Sequence, residues 1–199
     1  MIDQIRGFFY WPGVNKDIKR WVRSCSGCKK RKTPRPLRSG VTQPVFSIYP
    51  NHTVAIDIVG PMGESVEGNL WILTMIDVFT RWPVAVPIPS RETRLIGKVI
   101  YHRWICEKGV PLQIVSDQGR ELVSKGIKYM CTNIGIRKIE TSGYNPTGNA
   151  SIERFHRYLN ASLSILVDQR GTQWDEYVDP VLFSYRASTN DTTGFSPFF

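Results

Sequence analysis

The segment TVAIDIVGPMGESVEGNLWILTMIDVFTRWPVAVPI, residues 53–88, is the most informative part of this chain for its fold. It contains three strand-like apolar runs, Thr53–Val59, Leu70–Asp77 and Trp82–Ile88. The loop PMGESVEGN and a turn at residues 79–81 separate them. Connections this short join antiparallel strands, because parallel neighbours need a long crossover. The segment therefore predicts a three-stranded antiparallel sheet.

Helix and strand patterns alternate after this sheet. Apolar residues recur at helical spacing from Leu95 to Trp104, and the pattern stops at Gly109 and Pro111. The segments that follow read as a strand at Gln113–Ser116, a helix at Leu122–Ile134, a strand at Arg137–Thr141, a helix at Ile152–Val167, and a helix from Trp174 to Tyr185 bent at Pro180. The order βββαβαβαα predicts an α/β fold of the ribonuclease H type, with a five-stranded mixed sheet and flanking helices.

The N-terminal fifth of the chain has a different character. Apolar positions at helical spacing predict a short helix from Val14 to Ser24, which leads directly into CSGC at residues 25–28. Basic residues then alternate with Pro34 and Pro36, which cannot continue a helix. We interpret residues 33–47 as a linker between a small module at 1–32 and a main domain at 48–199.

The charge is concentrated in the same N-terminal part. The 199 residues have a net charge of +9, and residues 1–40 hold 11 Lys and Arg against 2 Asp and Glu, so the rest of the chain is neutral. One interpretation is a solvated surface. Beside a domain with an acidic site, however, a basic segment favours an electrostatic contact with nucleic acid, made here by Lys29, Lys30, Arg31 and Lys32.

Cysteine content and hydropathy indicate the compartment. Cys25, Cys28, Cys106 and Cys131 are too few and too scattered for a disulfide framework, which predicts a reducing, intracellular location. The apolar run at 70–76 is far too short to span a membrane. No secretory signal is evident, so we expect a soluble protein that does not bind membranes.

Two aspartates mark a candidate site in the main domain. Asp57 lies within an apolar strand, where an unpaired carboxylate would be strongly penalised, so a positive group must meet it. Asp117 ends the fourth strand, where it could instead cap the following helix. If the first and fourth strands are neighbours, as this fold type requires, both carboxylates meet at one edge of the sheet and can bind a divalent cation.

Glu153 is the third candidate, with 35 residues between it and Asp117. At about 100° per residue it shares a polar helix face with His156, Arg157 and Asn160. A glutamate in a first turn could also be there because the helix dipole favours it. The opposite, apolar face is formed by Ile152, Phe155, Leu159, Leu163 and Leu166.

Two further carboxylates could compete for the same role. Asp77 follows an apolar strand, and we expect it to fix the turn that comes after it. Glu121 is expected to begin a helix. We therefore expect neither of them to be a metal ligand.

These carboxylates and two flanking motifs resemble the three-carboxylate integrases of retroviruses and LTR retrotransposons, most closely the gypsy type. FYWPGVNKDIKRWVRSCSGCKKRK at 9–32 resembles the end of the zinc-binding domain of that family, and YRASTNDTTGFSPFF at 185–199 resembles the end of its catalytic core. The resemblance implies that Asp57, Asp117 and Glu153 hold two Mg²⁺ or Mn²⁺ ions. It also implies that His156, Arg157 and Asn160 line the DNA.

Two segments depart from the family pattern. Where many relatives have Gln-Thr-Asp-Gly-Gln before the glutamate, this chain has Thr-Gly-Asn-Ala-Ser. Cys25 and Cys28 form half of a tetrahedral zinc site, but the paired histidines that the family places upstream are missing, since the histidines are His52, His102 and His156. Either the chain was cut after those histidines or the site is broken, and a redox role for the cysteine pair is the rival interpretation.

The resemblance implies a polynucleotidyl transferase that trims the 3′ ends of the element's double-stranded DNA and joins them to target DNA. It further implies homo-oligomers, and action in the nucleus with a cytoplasmic phase. One alternative is a domesticated, non-catalytic relic that binds DNA or protein, which a chain shortened at both ends would favour. Another is a nuclease of the same fold, which would cleave DNA without joining it.

Overall fold

The sheet is built from the segments that the hydrophobic pattern predicts. The computed structural model describes residues 2–26, 47–141, 150–167 and 171–199. Its strands are β1 (Thr53–Val59), β2 (Trp71–Asp77), β3 (Pro83–Ile88), β4 (Gln113–Ser116) and β5 (Arg137–Glu140). Their order in the sheet is β3-β2-β1-β4-β5.

The pairing of the strands confirms the predicted fold class. β1, β2 and β3 pair antiparallel in chain order, as their short connections require. β4 adds to the free edge of β1 in parallel, and β5 adds to β4 in parallel. β1 is therefore the central strand of a mixed five-stranded sheet, and its neighbour β4 ends beside it.

Two short helices precede the sheet. α1 (Ile2–Arg6) was not predicted, whereas α2 (Val14–Ser24) has the predicted bounds. Val14 and Ile18 are the buried positions of α2, but Trp21, which fits the same spacing, is 68% exposed. The helical period therefore identified this helix but overestimated its buried face.

The next helix ends where glycine and proline predicted. α3 (Thr93–Ile100) continues through a π-helical turn at Tyr101–Ile105 into a short α-helical turn at Cys106–Lys108. Gly109 then takes φ +89, a conformation that L side chains rarely adopt. The helix thus stops one residue before the chain enters the loop to β4.

The helix after β4 begins later than expected. α4 spans Lys125–Ile134, whereas the pattern predicted a start at Leu122. The amide N–H groups of Leu122 and Val123 instead donate to Gly119 O, which closes a separate turn before the helix. The prediction that Glu121 begins a helix is therefore wrong, because Glu121 lies in this turn.

The last two helices also differ in detail from the predicted ones. α5 spans Ala150–Leu166, and α6 (Val178–Ala187) follows a 3₁₀-helix at Gly171–Tyr177. The predicted bend at Pro180 is wrong. The change of winding falls before Val178, and Pro180 lies in the first turn of α6, where a missing N–H costs nothing.

Helices cover both faces of the sheet, and alternate strand residues point to each face. On one face α3 and α4 pack on a cluster that includes Val54, Ile56, Leu73 and Ile114. On the other face α5 and α6 pack on Ala55, Ile72, Ile76 and Ala85. No helix within the described ranges is long and apolar enough to cross a membrane.

Candidate active site at the end of β1 and β4

Asp57 lies on the face of the sheet that α5 covers, two residues after the buried Ala55. Its Oδ1 accepts a hydrogen bond of 2.8 Å from the Ile58 N–H. The pKa of Asp57 is raised to about 6, chiefly by burial and also by the negative charges of Asp117, Glu153 and Glu121, while this hydrogen bond acts in the opposite direction. Four carboxyl groups are therefore close together at the end of the central strand β1.

Asp117 is brought beside Asp57 by the register of the parallel strands. Ile56 is paired with Ser116, so the residues that follow them are neighbours at one edge of the sheet. Asp117 is exposed, and its Oδ1 accepts a hydrogen bond of 3.0 Å from Gly119 N–H. A Cβ at position 119 would lie 3.1 Å from that oxygen, so glycine leaves room for the carboxylate. Asp117 does not cap the next helix, which begins only at Lys125.

Glu153 lies in the first turn of α5 on its exposed side. The buried side of α5 consists of Ile152, Phe155, Leu159 and Leu163. Leu166, expected on the same side, is 46% exposed. The packing therefore sets the rotation of α5 so that Glu153 is close enough to Asp57 to raise its pKa.

The side chain of His156 is only 15% exposed and lies beside Asp57. Its Nε2 is 2.7 Å from Thr74 Oγ1, and the Thr74 hydroxyl donates to Asp57 O at 2.9 Å. With the hydroxyl proton used in that way, Nε2 carries the ring proton, and Nδ1 faces Asp57 Oδ2 at 3.7 Å. Burial lowers the pKa of His156 to about 4, so the ring is neutral at pH 7. Its contact with DNA stays a prediction.

Arg157 and Asn160 are both exposed on α5. The neighbouring Arg154 is held by the protein itself, since its guanidinium donates to Thr192 Oγ1 at 2.9 Å and to Ala150 O at 3.2 Å. Of the two arginines, Arg157 is thus the one whose side chain extends from the helix beside Glu153 without a described hydrogen bond.

The rival carboxylates have structural partners. Asp77 accepts hydrogen bonds from the N–H groups of Phe79 and Thr80 and from the Thr80 hydroxyl, so it fixes the turn after β2 as predicted. Glu121 is paired with Arg91 at 3.1 Å. Glu121 nevertheless lies near enough to Asp57 to influence its pKa, which the sequence did not suggest.

The donor set suits a hard divalent cation in its chemistry. Asp57, Asp117 and Glu153 offer only carboxylate oxygens, the ligands that Mg²⁺ and Mn²⁺ prefer. Among the described residues, no three His, Cys, Asp or Glu side chains are already placed to hold a metal ion. The strand register and the effect of the other two charges on the pKa of Asp57 show that the three carboxylates are near one another. Binding of a cation would require their side chains to move closer together.

Three other residues near the site were missed by sequence reasoning. Ser116 is fully buried beside Asp117, and Lys138 on β5 donates a hydrogen bond to its hydroxyl. A signal existed in Arg137–Glu140, where the lysine is two residues after the buried Ile136 and therefore on the inward face of the strand. Thr74 could have been found as the one hydroxyl within the apolar run of β2.

The structure describes only part of the N-terminal segment for which we predicted zinc ligands and basic contacts to DNA. Cys25 directly follows α2 and is half-buried. Cys28, Lys29, Lys30, Arg31 and Lys32 lie outside the described residues, as do residues 33–46 of the predicted linker and residues 142–149. An open concavity of about 550 Å³ on α2 is lined by Lys16, Lys19, Arg20 and Arg23, so positive charge is also present on the described part of this segment.

Two protein families match the sequence. The family described as integrase core domain matches residues 49–146, and the family described as integrase zinc binding domain matches residues 1–34. The retrovirus-related Pol polyprotein from transposon 412 of Drosophila melanogaster is 25% identical over 198 residues, which are 98% of this chain and 16% of the relative. The gypsy retrotransposon integrase-like protein 1 of Bos taurus is 26% identical over 196 residues, 98% of this chain and 38% of the relative. The chain spans less than half the length of either relative.

Solved structures share the fold at low sequence identity. A chain of the simian T-cell lymphotropic virus intasome has a TM-score of 0.68 at 19% identity, covering 92% of this chain and 65% of that one. The HTLV-2 integrase catalytic core domain, solved with magnesium in a trimeric form, has a TM-score of 0.63 at 15% identity, covering 77% of this chain and 97% of that one. The sheet described above is therefore the integrase catalytic core fold.

Proposed function

Because this chain belongs to the integrase family, with a core domain and a zinc-binding domain, we propose that it catalyses metal-dependent processing and strand transfer of DNA ends. The reaction would remove nucleotides from the 3′ end of a retroelement and join the new end to a target phosphodiester. The observation that supports this is the grouping of Asp57, Asp117 and Glu153 at the end of β1 and β4, read from register and from the raised pKa of Asp57.

Each residue would have a distinct part in holding the site. Asp57, Asp117 and Glu153 would bind the cations, and the Thr74 hydroxyl and the neutral His156 would fix the backbone of Asp57. Two divalent cations, when bound, activate the attacking water or 3′ hydroxyl and neutralise charge that develops on the phosphate. No side chain has to act as a nucleophile, and we infer that no covalent enzyme intermediate forms.

The zinc-binding segment and the assembly belong to the same proposal. We propose that Cys25 and Cys28 bind zinc as part of a set completed by other residues, because two thiolates supply only half of a tetrahedral site. Joining two DNA ends to one target also requires more than one active site, so the chain would act as a homo-oligomer on double-stranded DNA. Its place of action would be the nucleus, with a cytoplasmic phase.

The direct test incubates the chain and Mn²⁺ with a labelled duplex that has the terminal sequence of the element, and with a circular DNA target. Integration is expected to yield both a shortened labelled strand and a longer joined one. Shortening without joining would indicate a nuclease of the same fold. Duplex binding with neither product, in Mn²⁺ or in Mg²⁺, would indicate a non-catalytic relic and would refute the proposal.

Arg157 offers a test of how α5 meets DNA. Its side chain is exposed one turn beyond Glu153, whereas Arg154 is held by Thr192 and Ala150. We expect Arg157→Ala to weaken duplex binding for all sequences alike and to lower the slope of log affinity against log salt by about one, the effect of one lost phosphate contact. Binding of fluorescent duplexes across a salt series measures both quantities.

Arg154→Ala is the matched control for this prediction, because it removes the same charge three residues earlier. Its salt slope should stay close to that of the wild type. A larger loss for Arg154→Ala than for Arg157→Ala would mean that α5 presents a different face to the DNA. Equal slopes for all three proteins would mean that Arg157 is merely solvated.

A further inference from the structure

Lys138 reaches the end of β4 from the strand beside it. Its ammonium group donates a hydrogen bond to Ser116 Oγ and a longer one of 3.4 Å to Ile139 O. The Ser116 hydroxyl in turn donates to Asp117 O at 2.9 Å. An unbroken hydrogen-bonded chain therefore connects the lysine to the backbone of a proposed metal ligand.

The hydrogen-bonded side chains of Ser116 and Lys138 lie on the face of the sheet opposite to Asp57. Ser116 is fully buried and, two residues after Ile114, points to the face of the sheet that α3 and α4 cover. Lys138 lies on that same face, two residues after the buried Ile136. Asp117 follows the last residue of β4, and its carboxylate lies close enough to Asp57, on the other face, to raise the pKa of that residue. The hydrogen-bonded route from Lys138 to Asp117 therefore runs through Ser116.

The surroundings make an ammonium group costly at this position. Burial is the main cause that lowers the pKa of Lys138, while the charges of Glu140 and Asp117 act in the opposite direction. Replacing such a group by an apolar one of similar length is often neutral or stabilising for a fold. Its presence is therefore better explained by what it holds in place than by a contribution to stability.

A comparable arrangement exists on β1. There the Thr74 hydroxyl donates to Asp57 O and is itself bonded to His156 Nε2. Each of the two strand-end aspartates thus has its carbonyl held by a neighbouring hydroxyl, and each hydroxyl is held by a nitrogen of a side chain. At β4 the Ser116 carbonyl is also fixed, since it accepts hydrogen bonds from the N–H of Thr141 at 2.8 Å and from its hydroxyl at 3.2 Å.

We propose that Lys138 is a positioning residue that sets the backbone of Asp117 through the Ser116 hydroxyl, and so orients the Asp117 carboxylate for cation binding. The inference rests on the proposed function for the role of Asp117. It extends that function to a residue that contacts neither DNA nor cation. Groups that orient metal ligands from behind typically change metal affinity or activity by 10- to 100-fold when they are replaced.

The experiment compares Lys138→Met, Ser116→Ala and the double variant with the wild type. The amount of free Mn²⁺ is followed by its electron paramagnetic resonance signal during titration of each protein without DNA. We expect each single variant to bind Mn²⁺ about 10-fold more weakly, and we expect Lys138→Met to keep an unchanged or higher melting temperature. The double variant should lose little more than either single one, because both break the same chain of hydrogen bonds.

Lys128→Met is the matched control. Lys128 is an exposed lysine on α4 whose Nζ lies 2.8 Å from Glu140 Oε1, so this variant also removes a positive charge near β5. Its Mn²⁺ affinity should equal that of the wild type. Equal losses for Lys128→Met and Lys138→Met would show a general charge effect and overturn the proposal, as would unchanged or tighter binding in Lys138→Met.

Two further outcomes are separated by this design. If Lys138→Met does not fold, Ser116→Ala decides alone, and wild-type Mn²⁺ affinity in that variant overturns the proposal. Because the titration needs no DNA, a wild-type chain that binds Mn²⁺ but neither cleaves nor joins DNA refutes the proposed function and leaves the role of Lys138 to be judged by the titration.

Discussion

Asp57→Asn, Asp117→Asn and Glu153→Gln are each expected to abolish metal-dependent cleavage and joining of DNA. Each change removes one of the negative charges grouped at the end of β1 and β4. Cation stabilisation of a phosphodiester transition state amounts to several kcal/mol, so we expect a loss of about 10³-fold or more. Product formation is measured on labelled duplex in Mn²⁺ and in Mg²⁺.

Glu121→Gln is the matched control for these substitutions. Glu121 also lies close enough to affect the pKa of Asp57, but it is paired with Arg91 and is not expected to bind the cations. This variant should keep most of the activity, and all four should bind duplex DNA and melt cooperatively. Near wild-type joining in any of the three amide variants would remove that residue from the site, and inactivity of Glu121→Gln would add Glu121 to it.

Asp57→Asn is also expected to stabilise the metal-free protein at neutral pH. Burial raises the pKa of Asp57 from 3.8 to about 6, so the folded chain binds a proton there more tightly than the unfolded chain does. The contribution of Asp57 to the free energy of unfolding is fully present below about pH 4 and is lost as the pH rises through about 6. Above that range the ionised carboxylate disfavours folding by about 2–3 kcal/mol, a cost that asparagine avoids.

Thermal melts in chelator across pH 4 to 8 check this prediction. We expect the melting temperature of the wild type to fall between about pH 4 and 6 relative to Asp57→Asn, leaving the variant several degrees higher at pH 7. Added Mn²⁺ should raise the melting temperature of the wild type and leave that of the variant nearly unchanged, since only the wild type keeps the carboxylate ligand at position 57. Parallel pH curves for the two proteins, or equal stabilisation by Mn²⁺, would contradict it.

Together the two predictions describe one residue that is unfavourable for the fold and needed for the site. Asp57 is placed in a strand whose other residues from Val54 to Ile56 are fully buried. Active sites often retain groups that lower stability, because function requires them there. A variant that is more stable yet inactive would be the experimental sign of that conflict at position 57.

Much of the fold could be predicted from local patterns. The bounds of β1, β4 and α2 agree with the hydrophobic spacing, because strand and helix periods are properties of short segments. The start of α4 could not be predicted in this way, since Gly119 O accepts the N–H groups of Leu122 and Val123. Leu122 and Val123 fit the apolar spacing of the helix, but their backbone N–H groups close a separate turn before it begins.

The candidate site shows the same division. The three carboxylates stand out in the sequence by type and context, since an acid within or beside an apolar run needs a partner. Residue type alone could not tell that His156 turns inward to Thr74, or that Glu121 comes near Asp57. Those facts depend on the rotation of α5 and on the path of the turn after β4, which packing decides.

The order of strands and helices, the resemblance to a family and the identity of the acidic residues all follow from short-range periodicity or from contiguous motifs, so they could be read from the sequence. The groups that hold the backbone of those acids became evident only in the folded chain. Lys138 and Ser116 are 22 residues apart and meet because β5 pairs with β4 in parallel and places both side chains on one face. Contacts of that kind arise from strand register and burial, which depend on the whole sheet.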